Sequence, residues 1–71
     1  MGSVYRVIEV IGTSAKSWED AAADAVATAG DSLRDLRVAE ATKFDLTVGP
    51  DGKVEVFRTR LALSFKYEKD D

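Results

Sequence analysis

The chain has 71 residues, 10 of them basic and 13 acidic, for a net charge of −3, and it contains neither cysteine nor histidine. Zero cysteines exclude disulfides and thiolate metal sites, and zero histidines remove imidazole, the usual general base and the commonest transition-metal ligand. An acidic balance is not the footprint of a nucleic-acid binder, and no apolar run approaches the ~20 residues of a membrane span.

The length is that of one small domain, with an ordered core expected over about 4–67 and a charged tail at 68–71. A core this small leaves little surplus over chain entropy, so partner subunits or an oxygen-held hard cation are the remaining ways to staple it. The opening Met1-Gly2-Ser3-Val4-Tyr5-Arg6 lacks the pattern of a signal peptide, and a cytoplasmic protein is expected.

A β-branched stretch predicts the first strand over about Val4–Ile11. Tyr5, Val7, Glu9 and Ile11 lie on one face, and Val4, Arg6, Ile8 and Val10 on the other. Both faces are mostly apolar, the pattern of a strand buried on both sides. Gly12-Thr13-Ser14 follows, a short motif ahead of a helix that suits either a cap or, more weakly, an anion.

Ser17 is placed to cap a helix that starts near Trp18, with Glu19 and Asp20 in its first turn, where the helix dipole favours acids. Trp18, Ala22, Ala25, Val26, Ala29, Leu33 and Leu36 recur at steps of three and four and predict the face that packs on the sheet. Trp18 opens this stripe, so packing is its expected role, with a stacking platform for an aromatic ligand as the alternative. Asp20, Asp24, Asp31 and Asp35 form a second stripe. The plain interpretation is a solvated face; the sharper one is a hard-cation site at Asp20, Asp24 and Asp31. Calcium takes six to eight oxygens, so one stripe would need help from a second subunit or a loop.

The second strand is expected over about Val38–Val48 and the third over about Lys53–Tyr67, joined by the turn Gly49-Pro50-Asp51-Gly52. Pairing Val48 with Lys53 without a bulge sets Phe44 opposite Phe57. Phe57, Thr59, Leu61, Leu63, Phe65 and Tyr67 then face the helix. Val54, Val56, Arg58, Arg60, Ala62 and Ser64 form a mixed face suited to a subunit contact or a ligand wall. The fold class is α+β, a β-α-β-β subunit whose three-stranded antiparallel sheet partly wraps one helix. A single helix covers one sheet face only, and the large uncovered surface points to a homo-oligomer.

The strand ending in Gly12-Thr13-Ser14, the Ser17-x-x-x-Ala21-Ala22 helix, the strand start Arg37-Val38-Ala39-Glu40 and the late Ser64-Phe65 together resemble the dodecins, over Val4 to Tyr67. The resemblance implies a hollow homododecamer that binds and stores a small ligand and is not an enzyme. Flavin-binding dodecins stack the flavin on a tryptophan whose position matches Val38 and hydrogen-bond it through a glutamine whose position matches Arg58. Valine has no π-face, and arginine accepts no hydrogen bond. The chain is therefore similar to the tryptophan-lacking branch, the calcium dodecins. Calcium is the expected ligand. The alternatives are flavin or coenzyme A, with Arg58 and Arg60 as phosphate partners, or an assembly module without a small ligand.

Overall fold

In a computed structural model, residues 2–32 and 34–67 are described. Among them the order is β1 (Tyr5–Ser14), α1 (Trp18–Ser32), β2 (Leu36–Val48) and β3 (Val54–Lys66). The three strands form one antiparallel sheet in the order β1-β3-β2, so the most buried strand is central. The expected β-α-β-β architecture holds. Leu33 and the tail at 68–71, part of the expectations above, lie outside the described residues.

Local chemistry accounts for the boundaries. The Asp20 amide donates to Ser17 Oγ at 3.0 Å, the cap expected from the sequence. The helix ends before Asp35, which adopts φ 60°, a left-handed conformation that Asp tolerates better than most residues. Asp35 therefore leaves the acidic helical stripe; its carbonyl accepts from the Lys66 amide at 3.0 Å. Leu36, expected to end the helix stripe, instead opens β2. At the other hairpin end, the Gly52 amide donates to the Gly49 carbonyl at 2.9 Å and the Gly49 amide to the Lys53 carbonyl at 2.8 Å. Gly52 sits at φ 79°, where a side chain would be strained.

Thr59, Leu61, Leu63 and Phe65 are buried under α1, as the alternation predicts. They meet Ala21, Ala25 and Ala29, with Ile8, Val10, Ala22, Val26 and Leu36 packed around them. Ala25 and Ala29 are buried as expected, while in the first turns Ala21 is buried in place of the expected Ala22, which packs at the margin. The offset follows from Gly12: a Cβ there would overlap the Ala21 carbonyl oxygen and stand 2.9 Å from Ala25 Cβ. Only glycine lets the strand and helix backbones come this close.

Two expectations about the sheet are corrected. Phe44 pairs with Thr59 and Leu46 with Phe57, because Val48 pairs with Val54 rather than Lys53 and a register shift follows at Thr47/Val48; further shifts lie at Ala41/Lys43 and Leu36/Val38. Each bulge sets two residues against one and moves every later pair. β1 is not buried on both faces within the subunit: it is an edge strand, and Tyr5, Val7 and Ile11 are exposed on the side away from the helix.

The shape is not that of a self-contained globule. The radius of gyration is 14.9 Å, against about 11 Å for a compact chain of this length. The accessible surface is 5331 Å², where a folded monomer of this mass exposes about 4300 Å².

Candidate functional site

The sheet face turned away from the helix carries the polar machinery. Register places Thr13, Arg58 and Asp45 in one row across it, Ile11, Arg60 and Lys43 in the next, Glu9, Ala62 and Glu40 in a third, and Val7, Ser64 and Val38 in a fourth. Arg58 is committed. Its Nε donates to Asp45 Oδ1 at 2.7 Å and its Nη2 to Asp45 Oδ2 at 3.3 Å, a two-pronged pair that fits the planar guanidinium. Arg60 is held more loosely, with Nη1 4.0 Å from Glu9 Oε1.

The hydrogen bond from Arg58, reinforced by the charges of Arg58, Lys43 and Arg60, holds the Asp45 carboxyl below its ordinary value against the opposing effect of desolvation. The same bond raises Arg58. Because the folded-state value of Asp45 is depressed, the pair's contribution to stability is complete above the ordinary aspartate range. It is lost as pH falls through the lowered value. Asp45→Asn is expected to flatten the loss of stability below about pH 4, which urea midpoints measured from pH 2 to 6 would detect; an unchanged acid limb contradicts the pairing.

Asp45 is the functional residue that sequence reasoning missed. The unbulged register sets it opposite Val56. Two extra residues on the β3 side, one at the turn and one at the Thr47/Val48 shift, bring the acid opposite the base, and that cross-strand charge match was the available signal.

Trp18 is also tied to this strand. Its indole Nε1 donates to the Asp45 carbonyl at 3.0 Å, and its own carbonyl accepts from Thr59 Oγ1 at 2.9 Å. Its ring meets Phe57 edge-on at 5.2 Å and Phe44 at 5.9 Å, geometries aromatic pairs favour. The indole is therefore a packing clamp between the helix start and the β2–β3 hairpin, as its place at the head of the stripe suggests.

The sites expected from the sequence are not brought together within one subunit. Val38 is exposed and pairs with Ser64. Arg58 lies six residues back along β3, about 20 Å away at strand pitch. Asp20 accepts a 2.7 Å hydrogen bond from Ser14 Oγ, which in turn accepts from the Lys16 amide at 2.9 Å. Gly12-Thr13-Ser14 thus closes onto a carboxylate, which disfavours an anion there. Asp24 lines a groove of about 360 Å³ between β1 and α1, together with Gly12, Thr13, Ala25, Thr28 and Ser32. Asp31 is exposed further along the helix. Among the described residues, no group of three or more carboxylates is close enough to hold a metal ion. The reason is pitch: Asp20 and Asp24 are about 6 Å apart along the axis, and Asp24 and Asp31 about 10 Å.

With this geometry in view, the comparisons decide the family. A sequence model of the dodecin family matches residues 4–68. The chain belongs to the dodecin family. It is 52% identical to the calcium dodecin of Mycobacterium tuberculosis over 64 residues, covering 90% of this chain and 89% of that one. A crystal structure of that calcium dodecin, described as a calcium-chelating antigen with a calcium-binding site, superposes with a TM-score of 0.82 at 48% identity over 97% of each chain. The dodecin of Streptomyces coelicolor superposes with a TM-score of 0.88 at 35% identity over 96% of each chain. Among the described residues of this dodecin, no helix is long and apolar enough to cross a membrane.

Proposed function

We propose that this dodecin is a non-enzymatic, homododecameric protein that binds and stores calcium. The observation that carries the reading is the 52% identity to a calcium dodecin over nearly the whole chain. The residues at the flavin positions support it. Val38 offers no ring to stack on, and the Arg58 guanidinium is already engaged by Asp45. The candidate ligands are the helix carboxylates Asp20, Asp24 and Asp31, completed by oxygens from neighbouring subunits, since six to eight are needed and one subunit does not gather three. The elongated, surface-rich subunit supports the assembly this requires.

Isothermal titration of chelator-treated protein with calcium tests the reading. Heat that saturates by millimolar calcium is expected, together with a rise in thermal midpoint, because a ligand that binds only the folded state stabilises it. Neither heat nor shift would overturn it. Arg60, held at 4.0 Å by Glu9, favours the second reading, a nucleotide store for flavin or coenzyme A. Quenching of flavin fluorescence on titration would support that alternative for flavin.

A further inference from the structure

Asp51 is the one aspartate among the described residues that glycine follows; Ala21, Ala25, Ser32, Leu36 and Leu46 follow the others. Asp51 and Gly52 stand at the tip of the β2–β3 hairpin, both exposed. The tip brings together the partners of an internal ring closure. Asp51 Oδ1 accepts from the Lys53 amide at 3.0 Å. That bond reaches across the intervening residue, so it folds the carboxyl group back over the peptide that joins Asp51 to Gly52. Nothing stands within 4 Å of where a Gly52 Cβ would be. The Gly52 nitrogen is therefore screened on that side neither by a side chain of its own nor by a neighbour. Asp45, by contrast, is held along β2 by the Arg58 guanidinium.

From this placement we propose that Asp51 is a self-modification site: its side chain closes on the Gly52 nitrogen to form a succinimide, which hydrolyses to isoaspartate. In the first step the Gly52 nitrogen gives up its proton and bonds to Asp51 Cγ, and a carboxyl oxygen leaves as water. In the second step water adds to the ring. Opening at Cγ restores aspartate. Opening at the Asp51 main-chain carbonyl carbon breaks its bond to the Gly52 nitrogen and leaves the chain running through Cβ and Cγ. The water lost is regained, and no electrons are transferred. The product carries one extra backbone carbon and a free α-carboxylate, the group that an isoaspartyl carboxyl methyltransferase recognises. It also removes the side-chain acceptor of the Lys53 amide, next to the Val48–Val54 pair. The turn gates the reaction: the Gly52 amide donates to the Gly49 carbonyl at 2.9 Å, and ring closure has to break that bond. An exposed loop tip opens far more readily than a core.

The test is incubation of the native protein for weeks at 37 °C in water enriched in oxygen-18, beside the same chain unfolded in urea. Trypsin in ordinary water then releases residues 44–53, which hold Asp51 and, as an internal control, Asp45. Isoaspartate is expected at position 51, carrying oxygen-18 and accepting a methyl group from S-adenosylmethionine when an isoaspartyl methyltransferase is added. Its rate in the native protein should be no less than a tenth of that in urea. The chain has no asparagine, so deamidation does not supply the product. Asp51→Asn should form the same ring at least tenfold faster, because ammonia replaces water as the leaving group. Asp51→Glu, which would need a six-membered ring, should stay unlabelled. A native protein that remains unmodified overturns the proposal, whatever the unfolded chain does. Isoaspartate at Asp45 rather than Asp51, or a rate unchanged by Asp51→Asn, overturns it as well.

Discussion

Gly12→Ala is expected to lower unfolding stability by about 3 kcal/mol or more, the upper end for overpacking, and Gly12→Val to prevent folding. The added methyl would overlap the Ala21 carbonyl oxygen and press on Ala25 Cβ. Both obstacles are fixed in place, a helix backbone and a buried side chain, so relief requires lifting the helix from the sheet. Lifting it would loosen Leu61, Leu63 and Phe65 beneath, at about 25 cal/mol for each Å² of apolar surface re-exposed. Urea midpoints at fixed subunit concentration check this, since an assembling protein unfolds in a concentration-dependent way. A change under about 1 kcal/mol would mean that the helix moves aside freely and that the close approach is not a constraint.

Trp18→Ala should cost about 3–5 kcal/mol, as large aromatic truncations in packed sites do. It removes two edge-to-face contacts and the donor to the Asp45 carbonyl. Trp18→Phe separates these parts. It retains a ring against Phe57 and leaves the part-buried carbonyl without its partner, so a smaller loss of about 1–3 kcal/mol is expected. Chemical denaturation followed by circular dichroism reads both variants without relying on the indole. Equal losses would assign the whole effect to the hydrogen bond, and two negligible losses would contradict the clamp.

The elements were legible where single residues carry strong local chemistry. Ser17 announced the helix start, Gly49-Pro50-Asp51-Gly52 announced the hairpin, and the alternation from Thr59 to Phe65 announced the buried face of β3. The register was not legible. A bulge adds one residue without disturbing hydrophobic periodicity enough to reveal itself, so the pairing of Val48 with Val54 at the turn and the shift at Thr47/Val48 together moved Phe44 from Phe57 to Thr59 and brought Asp45 opposite Arg58. Asp35 carried two compatible meanings, a further turn of acidic helix or a left-handed exit, and the second prevailed at the start of β2.

The candidate site was less legible for a different reason. Asp20, Asp24 and Asp31 share a helix face in the sequence, but pitch spreads them along the axis, and Ser14 engages the first of them. In the proposed reading further oxygens around a cation come from other copies, whose arrangement is a property of the assembly and not of one chain. The Arg58 position shows the complementary case. The residue type alone argued against a flavin contact, and the bidentate pairing with Asp45 adds that the guanidinium is already held.

Assembly is thus the point on which the account turns: the elongated subunit, the exposed apolar side chains of its sheet and the dispersed carboxylates all call for neighbours. Light scattering coupled to gel filtration, on protein freed of calcium by chelation, tests it most directly. A single species with the mass of a dodecamer is predicted, and a species of 7.7 kDa, the isolated chain, would contradict it.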